Sequence, residues 1–170
     1  MRVPGMELRA IAIIDDDSTT RKVLQWVLER HGFAALEVNG AEQAVKVCSD
    51  PNFGIAALIA DVRLRSAETG IDVAVAVQCA CPHLPILVTS GTPPEGWTAH
   101  DFANFKELVR AGRTDFLGKP FTAQKLADTL TALVAGEPPT GVREMCDAAE
   151  VSRKRQQTES RAGASAAEQK

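Results

Sequence analysis

Four groups of residues in this chain have types and spacing suited to metal and phosphoryl chemistry. They are the acidic run Asp15, Asp16 and Asp17, the isolated Asp61, the hydroxyl pair Thr89 and Ser90, and Lys119 followed by Pro120. Each follows a short apolar run: Ile11-Ala12-Ile13-Ile14, Leu58-Ile59-Ala60, Ile86-Leu87-Val88 and Phe116-Leu117. A single Asp after such a run is more often a turn or helix cap, because its short carboxylate competes well for nearby backbone N–H groups. The set carries more than any member. Crowded carboxylates repel one another unless a cation joins them, and an all-oxygen cluster suits Mg²⁺. Lys119 adds a compact positive charge suited to an incoming phosphoryl group.

These residues act together only if the chain brings four distant segments to one edge. Short apolar runs at residues 9–14, 34–38, 55–60, 85–89 and 115–117 alternate with segments of helical period. That alternation predicts an α/β fold, a doubly wound five-stranded parallel sheet with helices on both faces. In such a sheet ligands bind beyond the carboxyl ends of the strands, where all four groups fall. Ser18 or Thr19 is the expected cap of the first helix, which turns Val23, Leu24, Val27 and Leu28 to one side before Gly32. The second helix follows Gly40, with Ala41, Ala44, Val45 and Cys48 inward. The third covers about residues 71–79. A fourth, after Pro93, Pro94 and Gly96, uses Phe102, Phe105, Leu108 and Val109, and a fifth starts near Thr122.

The chain has 170 residues, 45% of them hydrophobic and 24% charged, with a formal net charge of -3. That is enough chain for one domain with its own core. No apolar run approaches the roughly 20 residues of a membrane span, and the first nine residues lack the pattern of a secretory signal. The expected compartment is the cytoplasm, with Cys48, Cys79, Cys81 and Cys146 as reduced thiols. The mixed, mildly acidic charge argues against a general nucleic-acid surface. Residues 1–136 are expected to form the domain. Residues 137–170, poor in bulky apolar side chains, are expected to be a disordered tail, a helical stretch at 142–151 being the alternative.

The motifs carry a resemblance covering residues 8–134. Asp15-Asp16 after the first apolar run, Asp61 after Leu58-Ile59-Ala60, Ile86-Leu87-Val88-Thr89-Ser90-Gly91 and Phe116-Leu117-Gly118-Lys119-Pro120-Phe121 resemble the receiver domain of bacterial response regulators, the CheY-like family. The resemblance implies a flavodoxin-like strand order of 2-1-3-4-5. It makes Asp61 the acceptor of a phosphoryl group from a phosphohistidine donor. It implies a Mg²⁺ ion held by Asp16 directly, by Asp15 largely through water, by Asp61 and by the backbone carbonyl of Arg63. Lys119 would pair with phosphoryl oxygens, Thr89 and Ser90 would form the switch segment, and Pro120 would take a structural cis position. Phe116 would turn inward as Thr89 moves.

The implied partners are a sensor histidine kinase or histidine phosphotransfer protein and a downstream protein target, with no direct DNA or membrane binding. The implied role is a stand-alone switch that assists only its own phosphorylation and dephosphorylation. Two departures from the family pattern stand out. The loop after Asp61 is one residue longer and has Arg65 at the usual proline, and the segment from Thr89 to Lys119 is longer, with Pro93, Pro94 and Trp97 inside it.

Other readings compete at particular residues. Asp15-Asp16-Asp17-Ser18-Thr19 also fits the Asp-x-Asp-x-Thr pattern of haloacid-dehalogenase-like phosphatases, with Asp15 as nucleophile. A degenerate receiver would be an interaction module without phosphorylation. Cys79, Cys81 and His83 lack the spacing of a zinc site. Trp26 is expected to pack, Trp97 is open between packing and partner contact, and Arg153-Lys154-Arg155 is expected to be a solvated run.

Overall fold

The computed structural model describes residues 9–143 and 145. In chain order it runs β1 (Ala10–Ile14), α1 (Ser18–Arg30), β2 (Ala34–Glu37), α2 (Ala41–Ser49), β3 (Ile55–Asp61) and α3 (Gly70–Ala80). It continues with β4 (Ile86–Ser90), α4 (Ala99–Arg110), β5 (Thr114–Gly118) and α5 (Ala123–Ala135). All strand pairs are parallel, in the order β2-β1-β3-β4-β5.

Alternation along each strand divides the core in two. Ile11, Ile13, Ala57, Ile59, Leu87 and Leu117 face α1 and α5, where Leu24, Val27, Leu28, Leu126, Leu130 and Leu133 meet them. Ala12, Ile14, Leu58, Ala60, Ile86, Val88 and Phe116 face the other way, against α2, α3 and α4. Both faces of the central strands are covered, which is why β1, β3 and β4 read as nearly unbroken apolar runs.

Two expectations need correction. Asp17, not Ser18 or Thr19, caps α1: its carboxylate accepts from the Thr19 amide at 2.9 Å and the Thr20 hydroxyl at 2.9 Å. Val23 and Trp26 stay outside, 48% and 55% exposed, because the i, i+3, i+4 set Leu24, Val27 and Leu28 fills the sheet-facing stripe and leaves them on its flank. Arg30 covers the Trp26 ring at 4.9 Å.

The segment after α5 is described in part. Gly136, at φ 84°, ends the helix, and the chain then turns back with Gly141, Val142, Arg143 and Met145 helical and Val142 buried. These few residues coincide with the start of the helical stretch named as the alternative for 142–151. The remaining tail, with Cys146 and the basic run at Lys154, and residues 1–8 lie outside the described residues. No helix among the described residues is long and apolar enough to cross a membrane.

Candidate functional site

Asp15, Asp61 and Thr89 stand two residues beyond Ile13, Ile59 and Leu87, so strand alternation carries all three onward from one row of the core. Asp61 is the last residue of β3 and the register partner of Thr89 on β4. Asp15 and Asp61 are buried. Lys119, just past β5, lies between them: its Nζ is 2.7 Å from Asp15 Oδ2 and 3.1 Å from Asp61 Oδ1. The distances place sequence positions 15, 61 and 119 in one constellation.

Backbone contacts hold it in place. The Asp17 amide donates to Asp15 Oδ1 at 2.8 Å, and Arg21 Nη1 donates to the Asp15 carbonyl at 2.8 Å while its Nε pairs with Glu37 at 2.9 Å. Asp16 turns outward, where its carboxylate accepts from the Arg65 amide and ties the end of β1 to the loop after β3. That loop ends in a capping box, with Thr69 and Asp72 exchanging hydrogen bonds at the start of α3. Gly70 then packs directly on Asp61, where any Cβ would collide with the Asp61 carbonyl. Arg63, two residues after Asp61, is exposed and extends toward the Gly96 carbonyl.

The hydroxyls divide. Thr89 is 1% exposed and its Oγ1 has no hydrogen-bond partner among the described residues. Ser90 is occupied locally, donating to the Thr92 carbonyl at 2.8 Å and accepting from the Thr92 amide at 3.1 Å. The Thr92 carbonyl also accepts from Trp97 Nε1 at 2.9 Å. Trp97 packs edge-on against Phe105 and Phe116, with ring centroids 5.3 and 5.7 Å away, and lies half-buried against the core. Phe116 is buried here, its ring packed edge-on against Trp97 and Phe105. The Lys119–Pro120 peptide is cis.

Electrostatics at the centre oppose one another. Burial pushes the Asp61 carboxyl above the ordinary range, Lys119 draws it back, and Asp15 and Asp16 push it up again, leaving it raised. Asp17 moves the other way, held below the usual range by the Thr19 amide and Thr20 hydroxyl. It is thus committed to capping α1. Among the described residues no three His, Cys, Asp or Glu side chains converge as a metal cage, since Lys119 stands between Asp15 and Asp61 and Asp16 faces the Arg65 amide. The donor set still fits a divalent cation: Asp15, Asp16 and Asp61 offer hard oxygens, and one ammonium leaves their charge in excess.

Of the residues named from sequence, the structure brings Asp15, Asp61 and Lys119 into contact, with Thr89 beside Asp61; Arg21, Gly70 and the Arg65 amide were not among those named. Only Gly70 left a signal, as a glycine directly after the helix cap Thr69. Cys81 and His83 line a separate cavity with Arg9 and Ile55, at the amino ends of the strands.

Comparison with known proteins adds to this geometry. The family model described as the response regulator receiver domain matches residues 11–131. The sensory/regulatory protein RpfC of Xanthomonas campestris pv. campestris is 32% identical over 126 residues, which cover 71% of this chain and 16% of that protein. The response regulator protein FleR of Pseudomonas aeruginosa is 29% identical over 129 residues, covering 76% of this chain and 25% of that protein. The chain thus spans a quarter or less of the length of these two relatives. Among solved structures, the receiver domain of the Pseudomonas aeruginosa sensor histidine kinase PA1611 has a TM-score of 0.60 at 20% identity, covering 76% of this chain and 99% of that one. That structure has a magnesium ion coordinated in its active site cleft.

Proposed function

Because this chain belongs to the response regulator receiver domain family, we propose that it is a two-component signalling switch whose phosphoryl acceptor is Asp61. The observation that carries the reading is the buried Asp61 carboxylate 3.1 Å from Lys119, beside a Thr89 hydroxyl with no hydrogen-bond partner among the described residues. An incoming phosphoryl group supplies an electrophile for Asp61, an acceptor oxygen for the Thr89 hydroxyl and a further oxygen for Lys119.

In the transfer, an Asp61 oxygen attacks phosphorus and the P–N bond of a phosphohistidine donor breaks, its electron pair staying on the imidazole. The product is an acyl phosphate on Asp61. Lys119 exchanges its contact with Asp61 Oδ1 for a phosphoryl oxygen, and Thr89 donates its hydroxyl to another. Asp15, Asp16, Asp61 and the Arg63 carbonyl are the groups that would hold Mg²⁺. When bound there, such an ion would offset charge on the phosphoryl oxygens. The magnesium in the active site cleft of the PA1611 receiver domain supports Mg²⁺ as the cation, the choice of ligands resting on the carboxylates grouped here.

Asp15 is a poorer nucleophile candidate, since the phosphatase pattern needs Asp17 free and Asp17 is capping α1. The partners that fit this reading are a sensor histidine kinase or histidine phosphotransfer protein upstream and a protein target downstream, in the cytoplasm. The chain assists only its own modification and its reversal, and turns over no separate metabolite.

Intact-protein mass after incubation with acetyl phosphate tests the reading. One phosphoryl adduct that needs Mg²⁺ and is lost in Asp61→Asn is the expected result. An adduct that survives the substitution overturns it.

A further inference from the structure

β5 ends the sheet, and an outer strand presents unpaired backbone groups along its free edge. Here that edge is covered by the chain's own segment after α5. The Asp115 carboxylate, only 3% exposed, accepts from the Thr140 amide at 3.2 Å and the Val142 amide at 2.9 Å, as well as from the Phe116 amide at 2.8 Å. Gly141 lies so close that a Cβ there would collide with the Phe116 carbonyl. Val142 and Met145 reach over the edge into the core on the α4 side, although α5 itself packs on the opposite face.

The segment also reaches toward the acceptor site. Gly141 and Met145 line a cavity of about 580 Å³ together with Ser90, Thr92, Phe116 and Lys119. A continuous set of contacts joins the two. Thr89 neighbours Asp61, Ser90 holds the Thr92 turn, the Thr92 carbonyl holds Trp97, and Trp97 packs on Phe116, whose amide shares Asp115 Oδ1 with Val142. The Lys119 amide donates to the Ser90 carbonyl at 2.8 Å, tying both sides of the cavity to the same turn. Docking itself is slight, with one buried valine, one half-buried methionine and two amides on a carboxylate. Such a contact can be undone by a small shift of Phe116.

We propose that residues 140–143, with Met145, form a reversible strap, closed over the edge of β5 in the unmodified protein and released when Asp61 is phosphorylated, so that this edge is open to a partner only in the modified state. The proposal rests on the acceptor reading above. The strap also describes the partner it excludes: a segment with two free amides, one on either side of a glycine or similarly small residue against Phe116, to donate to Asp115, and apolar side chains at the Val142 and Met145 positions. Phosphoryl transfer draws Thr89 and Lys119 toward Asp61, moving the Ser90–Thr92 turn and with it the packing of Trp97 on Phe116. By reciprocity, the closed strap stabilises the unmodified arrangement.

Amide hydrogen exchange of the full chain, followed by NMR with Mg²⁺ alone and with Mg²⁺ plus beryllofluoride as the phosphoryl mimic, tests this. Exchange at Thr140 and Val142 is expected to rise about tenfold with beryllofluoride. A response at the Lys119 amide with unchanged exchange at Val142 overturns the strap and leaves the acceptor reading standing. No response at either overturns both. Gly141→Val is expected to open the strap without beryllofluoride, giving fast Val142 exchange while α5 amides stay protected and Asp61 still accepts a phosphoryl group. Val142 protection equal to wild type in that variant also overturns the proposal.

Discussion

A carboxylate that attacks phosphorus must be ionised, near positive charge and sheltered from water, and at Asp61 these demands conflict. Burial and the neighbouring Asp15 and Asp16 favour the protonated form, while Lys119 favours the charged one. Because the folded value lies above the ordinary one, the ionised form weakens the fold. The penalty is absent when pH lies below the unfolded value and complete once pH exceeds the folded value. Asp61→Asn is therefore expected to raise the thermal midpoint at pH 7 without divalent cations, by on the order of a few degrees. The gain shrinks toward roughly pH 3.5, where the wild-type carboxyl is protonated as well. Gly70→Ala forces a methyl onto the Asp61 carbonyl. It is expected to cost about 1–3 kcal/mol in a denaturant titration and to slow acyl phosphate formation. Away from the site, burial pushes the Cys48 thiol up to about 12, whereas Cys79 is exposed. Mass mapping of iodoacetamide adducts at pH 8 is expected to find Cys79 modified well before Cys48.

At the scale of elements, the central strands β1, β3 and β4 were legible because burial on both faces makes them nearly apolar throughout, and the turn-forming glycines and prolines punctuate the chain. α1 shows what composition conceals. Its four apolar candidates included Val23, yet a 13-residue helix on a sheet buries only the stripe holding Leu24, Val27 and Leu28. Its cap was also displaced by one residue, since Asp17 reads equally well as a member of an acidic cluster and as a cap. The distinction is measurable. Asp17→Ala is expected to cost about 1 kcal/mol of stability in a denaturant titration, the usual scale for losing such a cap. Phosphoryl labelling should persist in that variant. Loss of labelling in folded Asp17→Ala would return Asp17 to the chemistry. The long segment after β4 resolves into a turn held by Ser90, a short helical turn at Pro94–Gly96 and the Trp97 anchor. Spacing alone could not say whether Trp97 faced inward, because its partners Phe105 and Phe116 come from different elements.

Across the whole molecule, parallel topology turns four scattered signals into one constellation, since every strand delivers its carboxyl end to the same edge. That much follows from the order of motifs. The supports do not: Arg21 on the Asp15 carbonyl, the Arg65 amide on Asp16 and the segment around Val142 on Asp115 are contacts between elements distant in sequence or of unremarkable composition. The central claim concerns which carboxylate becomes acylated. Borohydride reduction after acetyl phosphate treatment with Mg²⁺, followed by peptide mass mapping, converts an acylated aspartate to homoserine and so marks its position. The account predicts homoserine at position 61 and at no other aspartate. Homoserine at position 15 with Asp61 unchanged would contradict it.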